Sequence, residues 1–384
     1  MKRIVALVDC DAFFVSCEQA LNPELKGKPV CVLSNNDGCV VSRSKEAKKL
    51  GIKMGMPYFM AKKEFPNGIY LSGNHKTYKA FSKQIMECLR RFSPEVEVYS
   101  IDEAFIDLTG TRKLHKKNYI EIAKQIRQTI LEEIDIPVSI GISSSKILAK
   151  LASDKAKKCN GIYAIGRGKI KSEMQNTPIE EIWGIGRNIT KTLRQNGILK
   201  CSDLIALPDE TLKALLGIRG IEIKHELLGQ TILPVSATEK APKSIQDTSA
   251  FKTFSCEINF IKTELNKHIH TASKKLREHN GYTKTIGVML RTKDFKVDFL
   301  KTTIQTATNF ELEIAKIAQE LLEKIYKPNI LYRATGIYLG DLSCNNGVQK
   351  TLFEENKQKE NEALAKTIDK LEEKFGRNII RTGF

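Results

Sequence analysis

Residues 95–108 read Glu-Val-Glu-Val-Tyr-Ser-Ile-Asp-Glu-Ala-Phe-Ile-Asp-Leu. Val96 and Val98 alternate with charged residues, and Ala104, Ile106 and Leu108 alternate with Phe105 and Asp107. A two-residue period puts successive side chains on opposite faces of a strand, so the segment predicts the two arms of a β-hairpin. Ser100-Ile101-Asp102-Glu103 lies between the arms and sets acids at the tip.

Working outward, residues 3–9 form an apolar run that ends in Asp9-Cys10-Asp11, and Pro29–Leu33 forms another; both have the length and composition of buried strands. Tyr78, Phe81, Ile85, Leu89 and Phe92 recur at helical spacing between His75 and Phe92. A second helix is predicted over Tyr119–Glu133, followed by a strand over Val138–Ile142. This order predicts an α+β sheet with helices on one face. Two neighbouring strand ends would then bring Asp9, Asp11, Asp102 and Glu103 to one rim, where uncompensated anions repel. Hard oxygen ligands so clustered suit Mg²⁺ or Mn²⁺. Two such ions about 3.5–4 Å apart stabilise the attacking and leaving oxygens of a phosphoryl displacement.

The whole chain frames this site. At 384 residues it exceeds what one core organises, so a multidomain α+β protein is expected. A formal charge of +17 favours a polyanionic partner, nucleic acid first. The N-terminal apolar run is too short for a signal peptide or membrane span, which predicts a cytoplasmic protein with no membrane partner. Nine cysteines without a Cys-x-x-Cys pair predict buried, reduced thiols rather than zinc or disulfides.

Residues 178–234 break into short helical pieces separated by glycines. Gly184 and Gly186, and again Gly217 and Gly220, frame an apolar residue in the manner of helix-hairpin-helix turns, which offer backbone N–H groups to phosphates. Residues 235–243 read as an exposed linker. Beyond it, strand-like runs at 248–256, 284–291, 296–303 and 331–339 and helical runs at 264–279 and 312–326 give the order of a split β-α-β-β-α-β domain. From Leu342 the chain is polar, charged and expected to be mobile.

Val-Asp-Cys-Asp-Ala-Phe-Phe-Val-Ser (8–16) and Tyr-Ser-Ile-Asp-Glu-Ala-Phe-Ile-Asp-Leu (99–108) resemble the two metal-binding motifs of Y-family DNA polymerases. Ser34-Asn35-Asn36-Asp37-Gly38-Cys39-Val40, Ser139-Ile140-Gly141-Ile142, Ala149-Lys150-Leu151-Ala152 and Trp183-Gly184-Ile185-Gly186-Arg187 narrow the resemblance to the UmuC branch, that of the catalytic subunit of bacterial DNA polymerase V. It implies a right-hand-like architecture. Palm would be 1–26 and 76–177, fingers 27–75, helix-hairpin-helix thumb 178–234, little finger 244–342, and tail 343–384.

It also implies error-prone, template-directed DNA synthesis past lesions in the SOS response, without proofreading. By position, Asp9, Asp102 and Glu103 match the family's metal ligands for two Mg²⁺ (or Mn²⁺) ions, with Cys10 supplying a carbonyl. Phe14 falls at the steric gate that rejects ribonucleotides, where UmuC proteins carry Tyr. Phe13, Arg43, Lys48 and Lys157 match triphosphate-binding positions, Lys48 standing where many relatives have Arg. Lys252, Lys274, Lys275, Arg277, Lys284, Arg291, Lys293 and Lys296 lie in the domain that holds duplex DNA. Gln349, Leu352 and Phe353 resemble the sliding-clamp peptide. Implied partners are primer-template DNA, dNTP, the sliding clamp, a UmuD′-like subunit and RecA. Competing readings are a DinB-like polymerase IV, a non-catalytic DNA-binding repair factor, and a palm-type nucleotide cyclase, which would need neither DNA-gripping domains nor a clamp peptide.

Overall fold

The continuous apolar run near the N-terminus becomes β1 (Val5–Cys10), buried along its whole length. The computed structural model describes residues 3–238, 241–344, 363–365, 367–371 and 374–375. The chain divides into two units, 1–239 and 240–384.

In the first unit, β1 is followed by α1 (Phe13–Leu21), β2 (Val30–Leu33), β3 (Val40–Arg43), α2 (Lys45–Lys49), α3 (Tyr58–Glu64), β4 (Ile69–Ser72) and α4 (His75–Arg90). Next come β5 (Val96–Val98), β6 (Glu103–Asp107), α5 (Thr111–His115), α6 (Tyr119–Ile134), β7 (Val138–Ser143), α7 (Lys146–Ala156) and β8 (Ile162–Ala164). Helical pieces close the unit: α8 (Arg167–Asn176), α9 (Arg187–Gln195), α10 (Cys201–Ala206), α11 (Asp209–Leu216) and α12 (Ile218–Leu227).

A five-stranded sheet runs in the order β5-β6-β1-β7-β8, with β1 antiparallel to both neighbours. Ala6 and Val8 join a core with Ile85, Leu89, Ile122 and Ile126 of α4 and α6. Val5 and Leu7 pack on the opposite side with Phe105, Ala149 of α7 and Val235. Helices therefore cover both faces, not the one face expected from element order. The unbroken apolar run of β1 is the pattern of a strand buried on two sides.

A smaller sheet, β3-β2-β4, encloses Cys31, Leu33, Val40, Ile52 and Ala61. The helical core draws Ile170 and Met174 of α8 and Leu148 and Leu151 of α7 together with Leu193, Leu204, Leu212 and Leu227, so it begins well before residue 178. Residues 235–243 do not start as an exposed linker: Val235 is buried, and the Ser236 N–H donates to Glu97 Oε2 at 2.7 Å.

The second unit carries β9 (Ile245–Ser255), α13 (Ile258–Glu278), β10 (Gly281–Thr292), β11 (Val297–Thr308), α14 (Glu311–Ile325) and β12 (Tyr332–Cys344). Its antiparallel sheet runs β11-β10-β12-β9, with α13 and α14 packed on one face around Ile269, Val288, Leu322 and Ile337. Helix α13 starts six residues before the expected Glu264, from an N-cap Glu257 that makes no side-chain capping bond and so leaves no start signal in the sequence. The tail, expected to be mobile, contains ordered helix. Residues 363–365 and 367–371 are helical, Ala365 is buried, and Asp369 accepts a two-pronged contact from Arg277 at 2.7 and 2.8 Å. Gln349, Leu352 and Phe353 lie outside the described residues. Among the described residues no helix is long and apolar enough to cross a membrane.

Candidate active site

The β1–β6 register pairs Asp9 with Glu103, so both acids stand at the same end of neighbouring strands. The hairpin turn brings Asp102 alongside, and its carbonyl accepts the Cys10 N–H at 2.9 Å. Tyr99 and Ser100 N–H groups both donate to the Glu103 carbonyl, which fixes the turn. Asp9 is 4% exposed, so the site sits at a buried rim rather than on open surface.

Two lysines of α7 and its C-terminus face these acids. Lys157 Nζ lies 2.8 Å from Asp9 Oδ2, and Lys150 contacts Glu103 Oε1 while standing 3.6 Å from Asp9 Oδ2. Burial foremost, and then the hydrogen bond with Asp9, pushes the Glu103 carboxyl up to about 7 against the opposing pull of Lys150. Lys150 and Lys157 are held above the ordinary lysine value, since their acidic partners outweigh burial.

Asp102 Oδ1 accepts from Ser100 Oγ, and among the described residues no three His, Cys, Asp or Glu side chains converge on one point as they stand. The donor set nevertheless fits a divalent cation. It consists of hard carboxylate oxygens, with Asp9 and Glu103 in contact at a buried rim and Asp102 next to Glu103 in the chain. Asp11 is set apart: Ser139 Oγ donates to its Oδ1 at 2.8 Å, and burial raises its carboxyl.

The chain leaves β1 through Ala12, at φ 46°, before entering α1. Ser42 Oγ donates to the Ala12 carbonyl, tying β3 to this bend. The bend separates two adjacent phenylalanines. Phe14 remains part-exposed, its ring stacked 4.6 Å from Tyr78 and edge-on to His75. Phe13, expected at the triphosphate, has its side chain buried in the core, which leaves its backbone rather than its ring to meet one.

Other expected residues divide similarly. Lys48 is exposed on α2, whereas the Arg43 guanidinium donates to the Ile52 carbonyl and is held within its own small module. Gly184 has φ +97° and Gly186 caps α9. Gly217 has φ +67° at the cap of α12, but Gly220 lies inside α12 with its N–H donated to Gly217, so it is a packing glycine rather than a turn donor. Lys275 and Arg277 are paired with Asp247 and Asp369. Lys150 and Ser42 were missed as site residues. Lys150 precedes Lys157 by seven residues, two helical turns, which puts both on one face.

Two family models match the chain: the impB/mucB/samB family over residues 8–154 and its C-terminal domain over 242–352. Protein UmuC of Salmonella typhimurium is 32% identical over 98% of this chain and 92% of its own length. DNA polymerase IV of Dehalococcoides mccartyi is 33% identical over 99% and 97%. Among solved structures, the Y-family DNA polymerase chimera Dbh-Dpo4(243-245)-Dbh superposes with a TM-score of 0.77 at 30% identity, covering 89% of this chain and all of that one. An insertion ternary complex of Dbh DNA polymerase reaches 0.61 at 30% identity, again over 89% and all of the respective chains.

Proposed function

The chain belongs to the impB/mucB/samB family of Y-family, DNA-directed DNA polymerases, and from that premise we propose an error-prone translesion polymerase of the UmuC branch whose chemistry is centred on Asp9, Asp102 and Glu103. The observation that carries the site is the cross-strand pairing of Asp9 with Glu103, with the Asp102 turn bonded to Cys10 and two lysines facing the acids.

Asp9, Asp102, Glu103 and the Cys10 carbonyl would hold divalent cations, which when bound supply charge stabilisation to the entering and leaving oxygens of phosphoryl transfer. The protein's own part is positional. Lys157, within reach of Asp9 and part-exposed, is placed to turn toward the triphosphate and meet the charge that develops on the leaving pyrophosphate. Lys48 adds a mobile point charge from α2, and Arg43 acts indirectly by holding the strand and loop that present it. The Phe14 ring, backed by Tyr78, would offer the flat apolar wall that excludes a ribose 2′-hydroxyl. The Gly184–Gly186 and Gly217 turns would hold primer-template backbone without reading sequence.

In this reading the polymerase serves the SOS response with a UmuD′-like subunit, RecA and the sliding clamp, the last bound through Gln349, Leu352 and Phe353. The test is primer extension with Mg²⁺ and dNTPs on undamaged and abasic templates. Extension should vanish in Asp102→Asn and Glu103→Gln while DNA binding persists; extension by either variant sinks the site, and none by the wild type with its partners sinks the activity. Asn35-Asn36-Asp37-Gly38-Cys39 and Trp183 support the UmuC branch. The second reading, a DinB-like polymerase IV, is supported by the 33% identity to that group; abasic bypass without a UmuD′-like subunit or RecA would favour it.

A further inference from the structure

The turn that bears Asp102 is braced from across the sheet by the chain's single tryptophan. Trp183 Nε1 donates to the Tyr99 hydroxyl at 3.0 Å, and the two rings meet edge to face with centroids 5.2 Å apart at 85°. The indole also leans on Phe105, 5.8 Å away, a fully buried residue of β6 two positions after Glu103. Tyr99 stands three residues before Asp102, and its own N–H closes the turn onto Glu103. Tyr99 is 44% exposed, and apart from an edge contact with Phe105 at 5.7 Å the indole bond is what holds its hydroxyl.

Trp183 is held in turn from the helical side. It lies between Ile182 and Gly184, and both Ile182 and Ile185 are buried in the helical core. Gly184, at φ +97°, lets the chain reverse there so that the two isoleucines point into that core while the indole points at the hairpin. The residues before α9 are thus joined to the hairpin by one hydrogen bond and two ring contacts.

We propose that Trp183 is a positioning residue for the Asp102–Glu103 turn, acting through the Tyr99 hydroxyl and setting the register between the Ile182–Gly186 turn and the carboxylate site. The inference rests on the polymerase reading above. A simple packing role would depend on ring volume; a positioning role depends on the hydrogen bond, which Tyr99→Phe removes from the acceptor side and Trp183→Phe from the donor side. Tyr99→Phe keeps the ring volume and so separates the two roles, whereas Trp183→Phe keeps an aromatic ring but loses volume as well as the donor.

The experiment is single-nucleotide incorporation by the full chain, with the melting temperature and tryptophan emission measured on the same preparations. Each variant should lower kcat about five- to tenfold, the scale of one net hydrogen bond, with KM for dNTP changed by less than about twofold. The double variant should fall no further than the worse single one, because both remove the same bond. Retention of wild-type kcat in both variants, or multiplication of the two effects in the double variant, overturns the proposal, as does a drop in melting temperature that accompanies unchanged kcat. Emission gives a readout independent of turnover: it arises from Trp183 alone in this chain, should differ between wild type and Tyr99→Phe, and should respond to saturating primer-template in the wild type with a response reduced in the variant. Identical emission behaviour in the two proteins overturns the brace. If the wild type extends no primer even with a UmuD′-like subunit, RecA and the sliding clamp added, the polymerase reading falls, and the emission difference still reports whether Tyr99 and Trp183 are joined.

Discussion

Lys150 and Lys157 face the same pair of acids, yet their surroundings differ: the Lys150 side chain is 18% exposed and that of Lys157 38%. In the proposed reading the more buried lysine is a fixed counter-charge and the more open one is the one that turns to a phosphate. Replacing Lys150 by Met should leave Glu103 and Asp9 facing each other with one cation fewer, a buried imbalance that costs stability. The melting temperature should fall in EDTA and recover with Mg²⁺, so that the Mg²⁺-induced increment exceeds that of the wild type. Equal increments in thermal scans would show that Lys150 does not compensate these acids. A second residue-level prediction concerns Phe14. Truncation to Ala opens the space beside Tyr78, and selection of dNTP over rNTP should drop by on the order of 10²-fold in kcat/KM, measured by incorporation of matched pairs. The identity of Phe14 was legible in the motif. The separation of Phe13 from Phe14 was not, because two adjacent aromatics read alike until the Ala12 bend sends one into the core.

Helix α7 shows how an element is fixed by residues remote in sequence. Its first turn is capped by Ser145 Oγ and by Glu226, a fully buried acid of α12 whose carboxylate accepts from Ile147, Ile232 and Leu233 N–H groups. A carboxylate at a helix N-terminus also meets the positive end of the helix dipole. Glu226→Ala would orphan the buried Ile147 N–H and two part-buried N–H groups, a loss of about 2 kcal/mol, and should lower the melting temperature by roughly 4–8 °C, with Glu226→Gln intermediate. A melting temperature within a degree of wild type would refute this role. In the second unit, burial alone would raise the Asp247 carboxyl, but His268 and Lys275 of α13 outweigh it and hold it below the ordinary value. A depressed folded value means the contribution is present above the ordinary carboxylate range and disappears as pH falls through the folded value. The stability gap between wild type and Asp247→Asn should therefore be widest near neutral pH and close below about pH 4, followed by denaturant titration. Strands were legible wherever apolar residues alternated or ran unbroken, as in β6 and β1. The capping role of Glu226 on α7 and the tail helix at Asp369 were not, since each depends on a partner tens of residues away, and the start of α13 was not because it carries no capping side chain.

At the scale of the molecule, two units are joined within a stretch poor in bulky apolar residues, and the chain carries a net charge of +17. Asp9, Glu103, Asp247, Asp209 and Asp369 all sit in ion pairs, while lysines such as Lys48, Lys252 and Lys284 stand exposed. The surface excess is therefore cationic, and its natural counterpart is a phosphate backbone rather than a base edge. Such contacts release condensed counterions, so log affinity should fall linearly with log salt at about −0.9 per duplex phosphate engaged. With six to ten phosphates held, primer-template affinity should drop about 10³- to 10⁵-fold between 50 and 200 mM salt. Because backbone contacts carry no sequence information, two unrelated primer-templates should give the same slope and nearly the same affinity at each salt concentration. Fluorescence anisotropy over a salt series measures both quantities. A slope near zero would mean that the cationic excess is spread over surface that never meets DNA, and slopes that differ between sequences would mean that the grip reads bases after all.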